Sequence, residues 1–139
     1  LKKMASFNKF QPFVEQLAEK VHNLGSDQIV VALTNTAPNA TDATLSQITE
    51  ISYTNLSSRN VTTTSSAQTT GTYKLVLADL VLTASGGSVG PFRYVVLYND
   101  TAASDQLIGY YDYGSALTLL DGETLTIDFD PSAGVLTIA

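Results

Sequence analysis

The apolar residues near the start of the chain follow helical spacing. Phe10, Phe13, Val14, Leu17, Val21 and Leu24 recur every three or four positions with polar residues between them, the pattern of a helix with one apolar face. Pro12 suits the first turn, where its missing N–H is not needed, and Gly25 suits the position after the last turn. The sequence therefore predicts an N-terminal arm over residues 1–10 and one α-helix over residues 11–24.

Beyond Gly25 the pattern changes to short extended runs separated by turn residues. Residues 92–99 are apolar on both faces, which places this strand in the middle of a sheet. Residues 117–120 and residues 123–130, which alternate in polarity, are joined by Asp121-Gly122, a favoured connector, and this predicts a β-hairpin. Residues 59–72 are almost entirely polar, which indicates either a solvated edge hairpin or a mobile loop.

The segment from Leu75 to Leu82 changes its alternation halfway. Leu75 and Leu77 share one parity, whereas Leu80 and Leu82 take the other. A shift of one residue at Ala78-Asp79 predicts a β-bulge that lets both halves face the core. In total, about eight strands follow one helix. We expect a mainly β chain: an antiparallel β-sandwich of jelly-roll type, with residues 11–139 forming a single domain that includes the helix.

Composition supports extended structure and narrows the possible chemistry. The chain of 139 residues has 18 Thr and 13 Ser, and the branched Cβ of Thr favours strands. It contains no Cys and one His, which excludes disulfides, thiolate metal sites and cysteine nucleophiles. His22 is interpreted as a surface residue or as a residue at the C-terminal end of the helix. We expect no enzyme activity, no catalytic residues, no cofactor and no metal.

A pair of carboxylates near the C-terminal end is the remaining candidate for chemistry. Asp128 and Asp130 lie on one face of a predicted strand. Clustered carboxylates can bind calcium or act in a glycosidase. Acidic residues two positions apart on a polar face are nevertheless ordinary, and a raised pKa needs burial that this alternation argues against. We therefore favour a solvated strand face.

Charge is unevenly distributed along the chain. Four of the seven basic residues lie in the first 20 positions, and beyond Gly25 three basic residues stand against eleven acidic ones. An acidic body repels phosphate backbones and anionic lipids, so we expect no nucleic-acid or membrane partner. No apolar run approaches the roughly 20 residues that span a bilayer. The start of the chain lacks the pattern of a secretory signal peptide, which suggests synthesis in the cytoplasm.

Aromatic residues mark the candidate protein interface. The candidates are Phe7 and Phe10 in the arm, with Tyr94, Tyr98, Tyr110, Tyr111 and Tyr113 in two neighbouring strands. Tyrosine is favoured at interfaces because it combines a large apolar ring with a polar tip. The tyrosines alternatively form the rim of the core or a sugar-stacking platform. The two phenylalanines either dock into a neighbouring subunit or staple the start of the helix onto the body.

Three segments resemble small virion structural proteins of tailed bacteriophages. They are Val31-Ala32-Leu33-Thr34-Asn35-Thr36-Ala37-Pro38, Ile48-Thr49-Glu50-Ile51-Ser52-Tyr53 and Gly90-Pro91-Phe92-Arg93-Tyr94-Val95-Val96-Leu97-Tyr98-Asn99. Within that group the chain looks most like the capsid decoration, or cement, proteins. The likeness runs from Phe7 to the end of the chain and includes no catalytic signature.

The resemblance implies a non-enzymatic role on the outer surface of a virion. Proteins of this kind clamp neighbouring capsomers, so the expected partners are the major capsid protein and further copies of the chain, as a dimer or trimer. Two alternatives stay open. One is a tail, baseplate or carbohydrate-binding receptor module that uses the tyrosines, and the other is a hydrolase that uses Asp128 and Asp130.

Overall fold

The structure, a computed structural model, describes residues 2–3 and 5–139, with side chains from residue 5 onward. Within these residues the elements are β1 (Lys2–Lys3), β2 (Phe7–Lys9), α1 (Gln11–Ala18), β3 (Ile29–Thr34), β4 (Asn60–Val61), β5 (Thr63–Thr69), β6 (Thr72–Leu77), β7 (Leu80–Thr83), β8 (Val89–Asn99), β9 (Leu107–Leu119), β10 (Thr124–Ile127) and β11 (Leu136–Ile138), with a 3₁₀ turn at Leu45–Gln47. The prediction of a mainly β chain with one N-terminal helix is confirmed. The strands are more numerous than expected. Strands β1, β2 and β4 are only two or three residues long, which is too short for an alternating pattern to reveal them.

The strands form three sheets. The largest has the order β2-β9-β8-β3-β4, and two three-stranded sheets have the orders β11-β6-β5 and β1-β10-β7. All of these pairs are antiparallel except β1 with β10. Strand β8 pairs with β3 on one side and β9 on the other, so its predicted place in the middle of a sheet is confirmed. The jelly-roll arrangement stays a prediction.

One main core joins all three sheets. Its fully buried members include Val31, Leu33, Val95 and Leu97 of the five-stranded sheet, Leu75 and Leu77 of β6, and Leu82 and Leu125 of β7 and β10. A smaller cluster lies on the opposite face of the five-stranded sheet and contains Phe10, Val30, Ala32, Ile48, Val96, Tyr98 and Leu107. Strands β3 and β8 are apolar on both faces because each face meets its own apolar cluster.

The helix starts at the predicted residue but ends six residues early. The Val21 N–H donates to the Gln16 carbonyl at 2.9 Å and the Lys20 N–H donates to the Leu17 carbonyl at 3.4 Å, a Schellman-type C-cap. Lys20 occupies the left-handed position of this cap with φ 71°. Gly25 is therefore not the terminator, and the chain after Lys20 turns so that Leu24 is buried in the core.

The change of parity near Ala78 is a change of sheet rather than a bulge. Strand β6 ends at Leu77 in one three-stranded sheet, and β7 begins at Leu80 in the other. Between them the Asp79 carboxylate accepts a hydrogen bond from the Phe129 N–H at 2.9 Å. The expectation that both halves contribute to the core is confirmed, since Leu77 and Leu82 are buried. Alternation reports which way side chains face, not which sheet holds the strand.

The Asp121-Gly122 turn exists but does not form the predicted hairpin. The Glu123 N–H donates to the Leu120 carbonyl at 2.9 Å, which closes the turn. Strand β9 nevertheless pairs there with β8, Leu119 opposite Val89, whereas β10 pairs with β7 and β1. The backbone of Ala84 also holds this turn in place. The Ala84 N–H donates to the Glu123 carbonyl, and the Gly122 N–H donates to the Ala84 carbonyl.

Residues 63–72 of the polar segment form an edge hairpin with the rest of β6, whereas Asn60–Val61 pair with β3. Strands β5 and β6 pair antiparallel, and β5 lies at the end of its sheet. The connecting residues Thr70 and Gly71 both have positive φ, as a tight two-residue turn requires. Of the two alternatives, the edge hairpin is the correct one.

Candidate binding surfaces

The five clustered tyrosines divide between the two faces of the five-stranded sheet. Tyr94, Tyr98 and Tyr110 lie on the face of the smaller apolar cluster, where the rings of Tyr94 and Tyr110 meet edge-on at 6.4 Å. Tyr111 and Tyr113 face the main core. Apart from the partly buried Tyr110, each of these side chains is at most 8% exposed. The five rings therefore do not form one continuous platform.

The two phenylalanines of the predicted arm also take opposite faces. Strand β2 pairs antiparallel with β9 and makes Phe7–Lys9 the edge of the five-stranded sheet. The Phe7 ring meets Tyr111 edge-on at 5.7 Å between centroids. Phe10 is fully buried and its ring lies 5.2 Å from that of Tyr110. This arrangement agrees with the alternative in which both residues fix the start of the helix; the interface role of the seven aromatic residues stays a prediction.

Gly109 allows β2 to lie this close to β9. A Cβ atom added at Gly109 would overlap the Phe7 ring and would lie 2.8 Å from the Asn8 carbonyl oxygen. The ring thus covers bare backbone, as aromatic residues do over glycine in sheets. A glycine inside an apolar strand is a sequence signal of close approach, although it does not reveal which segment approaches.

Burial and hydrogen bonding set the ionisation of the phenols. Burial raises the pKa of Tyr111 and of Tyr113. Burial and a 2.6 Å hydrogen bond to the Glu50 carboxylate raise the pKa of Tyr53. These phenols are therefore neutral at physiological pH. The Tyr53 hydroxyl also accepts from the Leu33 N–H at 3.0 Å, so it fastens a loop to β3.

An apolar groove lies between α1, β2 and β11. We call it the side groove. It has a volume of about 470 Å³ and is lined by Phe7, Lys9, Phe13, Val14, Leu17, Ala18, Leu136, Thr137 and Ile138. Val14 is 51% exposed and Ile138 is 44% exposed. Sequence reasoning missed this groove because Val14 belongs to the apolar stripe of the helix, and helical spacing does not show which residues of such a stripe stay exposed.

A more polar depression continues the side groove past the end of the helix. It shares Leu17, Ala18 and Ile138 with the groove and is lined further by Lys20, His22, Asn23, Leu24, Gly25, Ser66 and Tyr73. Lys9 and Lys20 thus lie along one continuous surface. The described residues that line it include no Asp or Glu, although the chain carries a net charge of −6.

His22 is buried at the base of this depression and lies beyond the end of α1 at Ala18, so neither interpretation, as a surface residue or as a C-terminal helix residue, is correct. It is 5% exposed, and Asn99 is fully buried beside it. The Asn99 side-chain amide lies 3.0 Å from His22 Nδ1 and donates to the Asp27 carboxylate at 2.7 Å. Desolvation lowers the pKa of His22, and the nearby Asp27 charge opposes that shift. Asn99 is distant in sequence, so spacing could not reveal this cluster.

The candidate carboxylates Asp128 and Asp130 lie beyond the end of β10 at Ile127, so the prediction that they share one face of a strand is wrong. Asp130 accepts hydrogen bonds from the Ser132 and Ala133 N–H groups at 2.8 and 3.0 Å. These bonds, with the Lys74 charge, lower its pKa, opposite to the shift that a general acid needs. Within the part of the chain that the structure describes, no group of three or more metal-ligating side chains comes together. Among the same residues, no helix has the length and apolar character needed to cross a membrane.

No protein-family model, curated protein or solved structure matches this chain.

Proposed function

We propose that this chain is a non-catalytic structural protein of a tailed bacteriophage that decorates the outer surface of the capsid. In this proposal the three sheets form a sandwich of jelly-roll type. The chain is made in the host cytoplasm, binds the major capsid protein and bridges neighbouring capsomers, with further copies of itself as a dimer or trimer. The side groove is the observation that carries the proposal.

The side groove supports adhesion because it exposes apolar surface next to open strand edges. Strands β2 and β11 are each the last strand of their sheet, and an open edge can pair with another chain. Val14 and Ile138 expose apolar side chains to solvent beside these edges. Apolar surface rimmed by polar residues is typical of protein-binding sites.

The polar side chains near the surface mostly fasten the body itself. The Arg93 guanidinium forms two hydrogen bonds with the Asp112 carboxylate across β8 and β9, at 2.8 and 3.1 Å. The Arg59 guanidinium donates to the Val31 carbonyl and stacks on the Tyr53 ring at 3.7 Å. Groups used in this way stiffen the fold, which suits a clamp that must keep its shape. Repetition over a shell then supplies avidity from weak individual contacts.

Fractionation of phage particles tests the proposal. Heads and tails would be separated, and the chain would be quantified in each fraction relative to the major capsid protein. We expect the chain on intact heads in a fixed, near-stoichiometric ratio. Recovery on tails alone would contradict the proposal.

The alternative role as a carbohydrate-binding tail or baseplate module has one feature in its favour. Tyr110 is partly exposed on the outer face of the sheet, where a sugar ring can stack. Its neighbour Tyr94 presents only 8% of its surface, so the available platform is small. A glycan array tests this role: binding that Tyr110→Ala abolishes would favour it, whereas an array without signal would remove it.

A further inference from the structure

We infer that the side groove holds an extended segment of the capsid protein, apolar in its middle and acidic at its flanks, which adds as a strand beside β11. The inference rests on the proposed function, since it assigns the contact by which the chain holds the shell. It commits to a different protein as the occupant, not to a second copy of this chain.

The lining of the groove indicates that it follows the edge of β11. Leu136, Thr137 and Ile138 are consecutive, and all three line it. Successive side chains of a strand point to opposite faces, so a groove that touches three consecutive residues borders the backbone of the strand as well as side chains. Contact with all three places the groove beside the backbone of β11. Strand β6 covers the other side of β11, and this edge is open to an added strand.

Charge selects the chemistry of the occupant. Lys9 and Lys20 lie along the groove and its continuation, and the lining residues described here include no carboxylate. The acidic residues of the helical region, Glu15 and Glu19, do not line either part. A segment with acidic flanks and an apolar middle therefore complements both the lysines and the apolar floor.

The same charges argue against the N-terminal arm of a second copy. That arm begins with Lys2 and Lys3, which would bring like charge toward Lys9 and Lys20. It is also engaged in its own chain, where Lys2 pairs with Thr126 and Lys3 with Ile127. An acidic segment of another protein would be neither repelled by these lysines nor already paired within its own chain.

A matched pair of substitutions tests the groove on stripped heads. Val14 and Val81 are both valines with 51% exposure, but only Val14 lines the groove. We expect Val14→Asp to weaken rebinding to heads by about tenfold or more, because a carboxylate must then be buried against apolar surface. Val81→Asp should bind within about twofold of the unmodified chain. Equal binding by the two variants would overturn the inference while leaving decoration intact.

A substitution that should stabilise the fold removes Lys20, the lysine that lines the continuation of the side groove. Lys20→Gly replaces a side chain at positive φ by the residue that prefers it, so failure to fold is not the expected result. This variant should melt at a higher temperature yet bind stripped heads several-fold more weakly at low salt. Unchanged binding at low salt would contradict the role of charge.

Peptides test the occupant without any phage particle. Two ten-residue peptides with the same alternating Val-Thr middle, one with Asp flanks and one with Lys flanks, would be titrated into the ¹⁵N-labelled chain. We expect the Asp-flanked peptide to bind more tightly, with amide shifts concentrated in β11 and β2. Equal affinities, or shifts elsewhere, would overturn the inference. If heads fail to bind the unmodified chain while the peptide result holds, the proposed function fails and the groove's chemistry stands.

Sedimentation tests the remaining candidate occupant, a second copy of this chain. An oligomer of the unmodified chain that Val14→Asp dissociates would show that a second copy fills the groove, which contradicts the inference. We expect Val14→Asp and the unmodified chain to sediment alike.

Discussion

The contact between Phe7 and Gly109 makes a quantitative prediction about how the N-terminal segment is attached. Gly109→Ala places a methyl group where the Phe7 ring lies and 2.8 Å from the Asn8 carbonyl oxygen. Neither backbone can retreat freely, because β2 and β9 are paired at Lys9 and Gly109. The substitution must therefore move the ring, the strand or both.

The expected loss follows from overpacking and from the ring contacts. Overpacking of a close-packed site costs about 1–3 kcal/mol. Displacing the Phe7 ring from Tyr111 removes an aromatic pair worth about 1 kcal/mol. Alanine has less conformational entropy than glycine in the unfolded chain, which offsets about 0.4–1 kcal/mol of this loss of stability. These three contributions together predict that Gly109→Ala lowers the free energy of unfolding by about 1–3.5 kcal/mol, measured by urea denaturation.

A double-mutant cycle with Phe7→Ala checks the cause. Without the ring, the two closest contacts of the new methyl group are gone and the Asn8 carbonyl oxygen remains, so Gly109→Ala should cost at least about 1 kcal/mol less in the Phe7→Ala background. The same cost in both backgrounds would refute the assigned contact. Because β2 contributes Phe7 and Lys9 to the side groove, Gly109→Ala should also weaken binding to heads.

Three further predictions concern the ends of the helix and the cluster around His22. Burial lowers the folded-state pKa of His22 below its ordinary value of 6.5, so the stability from this site is complete above about pH 6.5 and is lost as the pH falls through the folded pKa. Urea denaturation against pH should show this decline in the unmodified chain and not in His22→Gln; equal slopes would contradict it. Lys20→Gly should raise the unfolding free energy by about 0.5–1 kcal/mol in the same assay, since φ is 71° at this residue,; a decrease would contradict the cap. Phe10→Ala should lower it by about 3–5 kcal/mol because the ring is fully buried,, and a loss below about 1 kcal/mol would show that the smaller cluster is not a core.

Alternation in the sequence predicted strands and their faces but not their partners. Both faces of β8 are apolar, and this indicated a central strand correctly. The Asp121-Gly122 pair indicated a turn correctly, yet β9 and β10 enter different sheets after it. Turn chemistry fixes the local backbone, whereas pairing depends on which edges the rest of the chain leaves open. The change of sheet between Leu77 and Leu80 was misassigned for the same reason.

The sequence predicted the fold better than it predicted the candidate binding surface. Apolar spacing continues through Val21 and Leu24 after the helix has ended, and Leu24 is buried in the core although it does not belong to a helical face. The clustered tyrosines are neighbours along two strands, but side-chain alternation sends them to two faces. The side groove combines β2, α1 and β11 from the two ends of the chain, a juxtaposition that only the folded chain defines.

A cryo-EM reconstruction of intact heads tests the central claim most directly. We predict density for this fold at regular positions on the outer surface between capsomers, with a strand of the capsid protein lying beside β11 in the side groove. Heads without such density, in preparations that contain the chain only on tails, would contradict the account.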